Sequence, residues 1–429
     1  MTIAARLAPQ PWMTAPESQA VFAALAAGGA DARFVGGCVR DAWLGRPVKD
    51  IDVATHAPPE RVMALLDAAG LRAIPTGVAH GTVTALSGGK PYEITTLRRD
   101  VESFGRHARV EFTDDWVEDA ARRDLTMNAL NCTLDGLVRD PFGGLADMAA
   151  GRVRFVGDAR RRIAEDVLRL LRFFRFHAHY GRGAPDPEAL AACVELAPRL
   201  PTLSGERVRG ELFRLLTAPD AAGVWQLMID RGVMAHLLPM ATATARLDRL
   251  ARLEHDLGTE AVPDPTRRLA AVLEADRTGA LAVADTLRLS NTERDRLAAL
   301  VEPPVPVSPS DDAVKRRQAL YRIGDAALYR DLVLMAAVES GGPLDLTALR
   351  AALATAGDLP DLRLPVAGRD LLALGVPHGP GLGQRLKEIE AWWIAEDFRP
   401  GREACLDRVA KVQPRVPPPH PSPAGRGRV

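Results

Sequence analysis

The stretch that most limits what this chain can become is Phe34-Val35-Gly36-Gly37-Cys38-Val39-Arg40-Asp41-Ala42-Trp43-Leu44-Gly45-Arg46, followed at once by Asp50-Ile51-Asp52. An apolar run ends in two glycines, a short amphipathic stretch follows, and two carboxylates then flank one apolar residue. Glycines at Gly36 and Gly37 let backbone N–H groups approach a phosphate with no Cβ in the way. If 49–54 is a strand, Asp50 and Asp52 share a face, because residues i and i+2 point the same way. Hard divalent cations such as Mg²⁺ take oxygen ligands of this kind. Arg40, one helical turn beyond the glycines, can neutralise phosphate charge. The stretch therefore points to a triphosphate and a metal.

At 429 residues and 47% hydrophobic content the chain is long enough for two to four domains with real cores. Formal net charge is zero, so no global field advertises a polyanionic partner. The local balance differs. Nine arginines lie between Gly151 and Arg182, against Asp158, Glu165 and Asp166. Such a basic stripe suits a phosphate backbone. Cys38, Cys132, Cys193 and Cys405 are scattered, with no C-x-x-C spacing. They read as free thiols of a reducing compartment. There is no apolar leader region, and no run approaches the roughly 18 apolar residues of a membrane span. The expectation is a cytoplasmic protein with no membrane partner and no evident protein partner.

Periodicity and breakers give the expected class: α+β, a small head followed by an all-helical remainder. Residues 1–16 are expected to form a loose arm. The head, 17–157, has helices over 17–27, 38–44 and 58–69, strands over 32–35 and 49–54, and a hairpin of 81–86 with 92–97. Glu93 falls in the second hairpin strand, as a possible third carboxylate. Residues 98–115 read as a long polar loop, and 116–131 as a helix carrying Arg123, Asp124 and Asn128. A helical neck, 158–218, starts with one helix over 159–179 bearing the arginine stripe. Ser204 is the expected N-cap of a later helix. A helical body, 219–330, a helical tail, 331–412, and a disordered Pro-rich end, 413–429, follow, with Pro-rich breaks at 302–309 and 359–365.

The glycine turn and its carboxylates resemble the first motif of the class II tRNA nucleotidyltransferases and bacterial poly(A) polymerases. These belong to the wider DNA-polymerase-β-like superfamily. The resemblance recurs in order at Arg122-Arg123-Asp124-Leu125-Thr126-Met127-Asn128, at Asp140-Pro141-Phe142-Gly143-Gly144, and at Glu165-Asp166-Val167-Leu168-Arg169-Leu170-Leu171-Arg172. It implies a polymerase-β-like head. It also implies nucleotidyl transfer with Asp50 and Asp52 holding Mg²⁺, with Glu93 as a further catalytic carboxylate. Two metals roughly 3.5–4 Å apart would serve the attacking hydroxyl and the leaving pyrophosphate. Gly37, Arg40 and Arg123 would meet the triphosphate, while Asp124 and Asn128, a carboxylate and an amide, suit ribose hydroxyls.

Asp166 and Arg169 offer a base-reading pair. A carboxylate accepts from an exocyclic amine and a guanidinium donates to a ring nitrogen. Cytosine and adenine present that order, whereas uracil and guanine present its reverse. The wrong base would leave buried polar groups unpaired. The family resemblance assigns this role to the same two residues. The bland alternative is an i,i+3 surface ion pair worth a few tenths of a kcal/mol. Arg172 and Arg175 continue the face. Where related poly(A) polymerases carry a Gly-Arg-Arg-Phe-like stretch, this chain has 74–84, ending Ala79-His80-Gly81-Thr82-Val83-Thr84. That resembles the CCA-adding branch, which uses CTP and ATP to extend tRNA gripped at its acceptor end and T-arm. Poly(A) addition, or addition of CC or A alone, is the alternative. The His255-Asp256 dipeptide lacks the flanking residues of an HD phosphohydrolase and reads as a helix-surface pair.

Overall fold

A computed structural model of the chain describes residues 3–104, 107–339, 344–357 and 362–412, with side chains described outside 100–110. The chain divides into two compact units, Met1–Val301 and Glu302–Val429. The division falls at the start of the Pro-rich stretch 302–309. The Pro-rich end expected beyond residue 412 lies outside the described residues.

The first unit begins with strand β1 (Ile3–Arg6), helices α1 (Pro11–Thr14) and α2 (Pro16–Ala27), β2 (Ala32–Val35), α3 (Gly37–Trp43), β3 (Asp52–Thr55) and α4 (Pro59–Ala68). Then come β4 (Arg72–Gly77), β5 (Thr82–Ser87), β6 (Lys90–Thr96), β7 (Arg98–Phe104), β8 (His107–Phe112) and α5 (Trp116–Ala121). The head closes with β9 (Asn131–Cys132), β10 (Leu137–Arg139) and α6 (Gly144–Ala150). Eight strands form one sheet in the order β1-β10-β9-β2-β3-β6-β5-β4. Every described neighbour pair is antiparallel except β3 with β6. A parallel pair needs a long crossover, and α4 with β4 and β5 supplies it. Strand β5 alternates half-buried and buried residues, the signature of a sheet wet on one side. Phe34 is fully buried in β2 and meets the rings of Trp12 and Phe22 at 4.7 and 4.4 Å.

Four expectations are corrected in the head. The arm 1–16 is not loose from residue 3 on: β1 pairs with β10, and the Leu7 N–H donates to the Gly136 carbonyl. Within the loop expected over 98–115, residues 98–104 and 107–112 instead pair as the two-stranded ribbon of β7 and β8. The helix expected over 116–131 stops at Ala121. Arg123 and Asp124 lie in a bend before a single 3₁₀ turn, Thr126–Asn128. Strand β3 begins at Asp52, so Asp50 sits in the preceding loop.

The helical part of this unit runs α7 (Ala159–Glu165), α8 (Leu168–Tyr180), α9 (Pro187–Leu196), α10 (Gly205–Leu216), α11 (Ala221–Asp230), α12 (Thr244–Leu257), α13 (Pro265–Val272), α14 (Arg277–Thr286) and α15 (Asn291–Val301). The single helix expected over 159–179 is two. Asp166 adopts extended angles (φ −151°, ψ 108°) and breaks the run. Ser204 does sit at the N-cap of α10, but its side chain makes no capping bond. Helix α8 buries Leu170, Leu171, Phe173 and Phe174, and Phe173 stacks on Phe155 at 5.8 Å. His255 and Asp256 are both exposed on α12, as expected of a surface pair.

The second unit comprises α16 (Ala313–Ile323), α17 (Ala326–Glu339), α18 (Leu346–Thr355), α19 (Gly368–Ala373), α20 (Pro380–Ala395) and α21 (Arg402–Val412). Tyr321, Trp393 and Phe398 pack ring to ring at 5.0–5.7 Å. Arg402 clasps Asp370 with contacts of 2.7 and 2.9 Å.

The helical half of the first unit rests on a buried ionic centre. Glu254 of α12 is fully buried and accepts from Arg267 Nε at 3.0 Å and Arg268 Nε at 2.7 Å. Arg268 also donates to the Leu216 carbonyl at 2.6 Å. Removing one partner of such a cluster strands the opposite charges. Glu254→Ala should cost about 3–5 kcal/mol of stability, read from urea unfolding, and a loss below about 1 kcal/mol would contradict this role.

Candidate active site

The glycine turn does what its sequence suggests. Gly36 has φ +70° and ψ −126° and precedes the first turn of α3. A Cβ at Gly36 would stand 2.9 Å from Arg123 Nη1. Glycine here lets that guanidinium lie against the turn, as well as supplying a left-handed φ. Asp52, the first residue of β3, is half-buried, while Asp50 and Glu93 are exposed. Asp52 stands in register with Glu93 across the parallel β3–β6 ladder. Burial, then the Glu93 charge, push the Asp52 carboxyl up to about 6; Arg123 opposes them and Asp50 adds to them. Asp50 and Glu93 thus both act on Asp52. They are not drawn into a ready-made cluster: among the described residues no group of three His, Cys, Asp or Glu side chains is placed to hold a metal ion. The donor set still fits a hard divalent cation. It is all oxygen, and a cation would relieve the repulsion and burial that weigh on Asp52.

Beside the turn lies a polar lattice. Asp119, buried at the end of α5, holds Arg122 at 2.7 Å and Arg123 at 3.3 Å. Asp124 is buried, with three donors on its carboxylate. Oδ1 accepts from the Leu125 N–H (2.8 Å) and Asn128 Nδ2 (3.0 Å), and Oδ2 accepts from Arg172 Nε (2.6 Å). Burial alone would raise its carboxyl, but these donors, Arg172 foremost, hold it down at about 2. Arg40 is not free to meet phosphate alone. Its Nη1 donates to Asn128 Oδ1 at 2.5 Å, and its Nε and Nη2 donate to the Asp41 carboxylate at 2.9 and 2.8 Å.

The neck supplies the opposite wall. Asp166 and Arg169 do not pair with each other, so the i,i+3 ion-pair reading fails. Asp166 Oδ2 accepts from Arg207 Nη2 at 2.7 Å, and its Oδ1 accepts from the Leu168 N–H at 3.1 Å. Arg169 Nη1 donates to Glu165 at 2.6 Å and to the Arg162 carbonyl at 3.1 Å. The sharp break at Asp166 is what separates the partners. Arg175 is buried against Glu211 of α10 at 3.0 Å, and burial lowers its guanidinium to about 10.

Head and neck enclose a cleft of about 800 Å³. Of the residues singled out in the sequence, Gly37, Arg40, Asp52, Arg123, Asp124, Asn128, Asp166, Arg169, Arg172 and Arg175 line it; Asp50 and Glu93 do not. Sequence reasoning missed Lys49, which precedes β3 on the head side, and on the neck side Phe176 and Tyr180 of α8 and, above all, Arg207 and Arg214 of α10. Their signal was present: Arg207, Glu211 and Arg214 recur at i, i+4 and i+7, a polar stripe on one helical face.

A cleft that opposes carboxylates to many guanidinium groups has the charge pattern that suits a polyphosphate with its cation, and on this sheet it points to a nucleotidyltransferase. Family models agree: residues 32–154 match the Poly A polymerase head domain, and residues 184–244 match the probable RNA and SrmB-binding site of polymerase A. The chain is 35% identical over 402 residues to the mouse (Mus musculus) mitochondrial CCA tRNA nucleotidyltransferase 1, covering 89% of this chain and 86% of that one. It is 33% identical to a CCA-adding enzyme of Lacticaseibacillus paracasei, covering 89% and 94%. The structure of a Bacillus stearothermophilus CCA-adding enzyme in complex with CTP superposes with a TM-score of 0.77 at 30% identity, covering 92% of this chain and 96% of that one. The chain belongs to the class II CCA-adding tRNA nucleotidyltransferases, a family whose chemistry implies a divalent metal ion.

Cys38, beneath this site, donates its thiol to the Val35 carbonyl at 3.3 Å and is fully buried; burial pushes it up to about 12. The other three cysteines are also free and buried. At pH 8 the folded protein should therefore resist a thiol-specific disulfide reagent and titrate four thiols on denaturation. Rapid reaction of a thiol in the native state, with loss of activity, would contradict the burial.

Proposed function

We propose that this chain adds C, C and A to the 3′ end of tRNA from CTP and ATP, with no nucleic-acid template. The observation that carries this reading is that Asp166 and Arg169 line the same cleft as Asp52, each held by its own partner. A pair locked to itself would have nothing left for a base. Held apart, the carboxylate keeps acceptor capacity for an exocyclic amine, and the guanidinium keeps donors for a ring nitrogen. Cytosine and adenine satisfy both; uracil and guanine satisfy neither.

In this reading the triphosphate lies along Gly36, Gly37 and Arg123, with Arg172 and Arg175 closing the neck side. Asp124 and Asn128 face the ribose. Asp50 and Asp52 would hold Mg²⁺, which supplies charge neutralisation to the triphosphate when bound, and Glu93 is the neighbouring carboxylate that strengthens their pull on it. The tRNA 3′-hydroxyl gives up its proton to water as its oxygen bonds to the α-phosphorus; the bond from that phosphorus to the bridging oxygen breaks, and pyrophosphate leaves with that electron pair. The division into head (17–157), neck (158–218), body (219–330) and tail (331–412) belongs to the same reading, with body and tail gripping the acceptor end and T-arm of tRNA through shape and phosphate contacts. A cytoplasmic location is supported by the free, buried cysteines. No helix among the described residues is long and apolar enough to cross a membrane.

Incubation with tRNAs ending before CCA, after C and after CC, each with CTP or ATP, followed by sequencing of the 3′ ends, should give full CCA and then stop. Long oligo(A), or arrest after CC, would sink the reading in favour of a sister activity. Asp52→Ala or Asp50→Ala should lower incorporation by several orders of magnitude with the fold intact by circular dichroism. Asp166→Ala combined with Arg169→Ala should erase the preference for C and A over U and G while triphosphate binding persists; unchanged selectivity would remove these residues from base reading.

A further inference from the structure

A closed circuit of hydrogen bonds ties α8 to the head, and one end of it is a residue that no part of the reading above uses. Arg172 and Tyr180 stand two helical turns apart on one face of α8, with Phe176 between them. From Arg172 the circuit passes to Asp124 (2.6 Å), to Asn128 (3.0 Å), to Arg40 (2.5 Å) and to Asp41 (2.9 Å). It returns to α8 through the Tyr180 hydroxyl, which donates to Asp41 Oδ1 at 3.0 Å. The Tyr180 ring is itself gripped. It stacks on Phe176 at 5.5 Å and carries the guanidinium groups of Arg40 and Arg46 at 4.7 and 4.2 Å.

The circuit fixes an orientation. An amide presents an acceptor oxygen and a donor nitrogen, and rotation by half a turn exchanges them. Arg40 has donors only, so it draws Asn128 Oδ1 toward itself. The Nδ2 side then faces Asp124 and keeps one N–H for a ligand. Arg40 can impose this only while its own fork is set, and Asp41 sets it with two contacts. Asp41 is partly exposed, with about a fifth of its side chain open to solvent. The Tyr180 hydroxyl is the contact that ties this carboxylate to the neck.

We propose that Tyr180, acting through Asp41 and Arg40, is a positioning residue that fixes the Asn128 amide and thereby sets discrimination between ribonucleotides and deoxyribonucleotides. This rests on the assignment of Asp124 and Asn128 to the ribose. Without the hydroxyl, Asp41 turns to solvent, Arg40 loses its second anchor, and the amide samples both orientations. A 2′-hydroxyl then loses a fixed donor, whereas a deoxyribose, which never used it, loses nothing. The base is read through Arg207 and Glu165, which lie outside the circuit. Choice of base is therefore independent of Tyr180.

The test is kcat/KM for CTP, dCTP and UTP on a tRNA lacking CCA, with full-length Tyr180→Phe, Asp41→Asn and Asn128→Ala proteins. Tyr180→Phe keeps the ring and removes one hydrogen bond. It should lower the CTP/dCTP ratio about fivefold, mostly by weakening CTP, with CTP/UTP and the melting temperature unchanged. Asp41→Asn should reproduce the loss, and Tyr180→Phe should add nothing in an Asn128→Ala background. If Asn128→Ala collapses CTP/dCTP and Tyr180→Phe leaves it intact, the circuit does no positioning while the ribose assignment stands. If Asn128→Ala leaves the ratio intact, the ribose assignment falls and this proposal with it. A uniform loss for all three nucleotides with a lower melting temperature would show a merely structural tyrosine.

Discussion

The ion pair between Arg172 and Asp124 is the contact on which the site depends. Arg172 belongs to α8 of the neck and is partly exposed, whereas Asp124 belongs to a bend in the head and is buried. Burying a carboxylate is expensive. Here the cost is met by three donors, and the group stays ionised far into acid. That fixed negative charge gives Arg172 its place, and through Asn128 and Arg40 it also organises the glycine turn. Neck and head are thus joined by residues that line the cleft itself.

The neck builds on this weld by giving charged groups that line the cleft a keeper. Glu165 keeps Arg169, Arg207 keeps Asp166, and Glu211 keeps Arg175. Each keeper is of opposite charge, so the many arginines of the wall do not repel one another apart. The result is a surface rich in guanidinium groups but locally balanced. That matches a chain whose formal net charge is zero while one segment carries nine arginines.

Much of this was legible from residue order alone. The glycine turn, the α+β head and the helical remainder follow from spacing, breakers and periodicity, and most candidate site residues do line one cleft. What escaped reading has physical reasons. A two-residue strand such as β9, or an edge strand such as β1, is made by its partners rather than by its own pattern. Asp166 interrupts a run whose composition is good for helix throughout, and only its contacts to Arg207 and Leu168 favour the break. The same limit applies to Asp50: the strand begins only at Asp52, so the pleat does not place the two carboxylates on one face. Residues of α10 were passed over, although their stripe is regular, because a stripe of charge on a helix usually faces water, and nothing local says that this one faces a cleft.

The in-register pairing of Asp52 with Glu93 has a consequence of its own. Adjacent strands in a ladder stand about 4.8 Å apart, so the backbone sets the spacing of the Asp52 and Glu93 Cα atoms from which these carboxylates project. Backbone spacing does not change with rotamer, ionic strength or modest heating. This edge of the head is therefore held at a constant backbone spacing. The far wall is built differently: Asp166 sits at a joint between two helices, where its side chain can be re-aimed without disturbing the ladder.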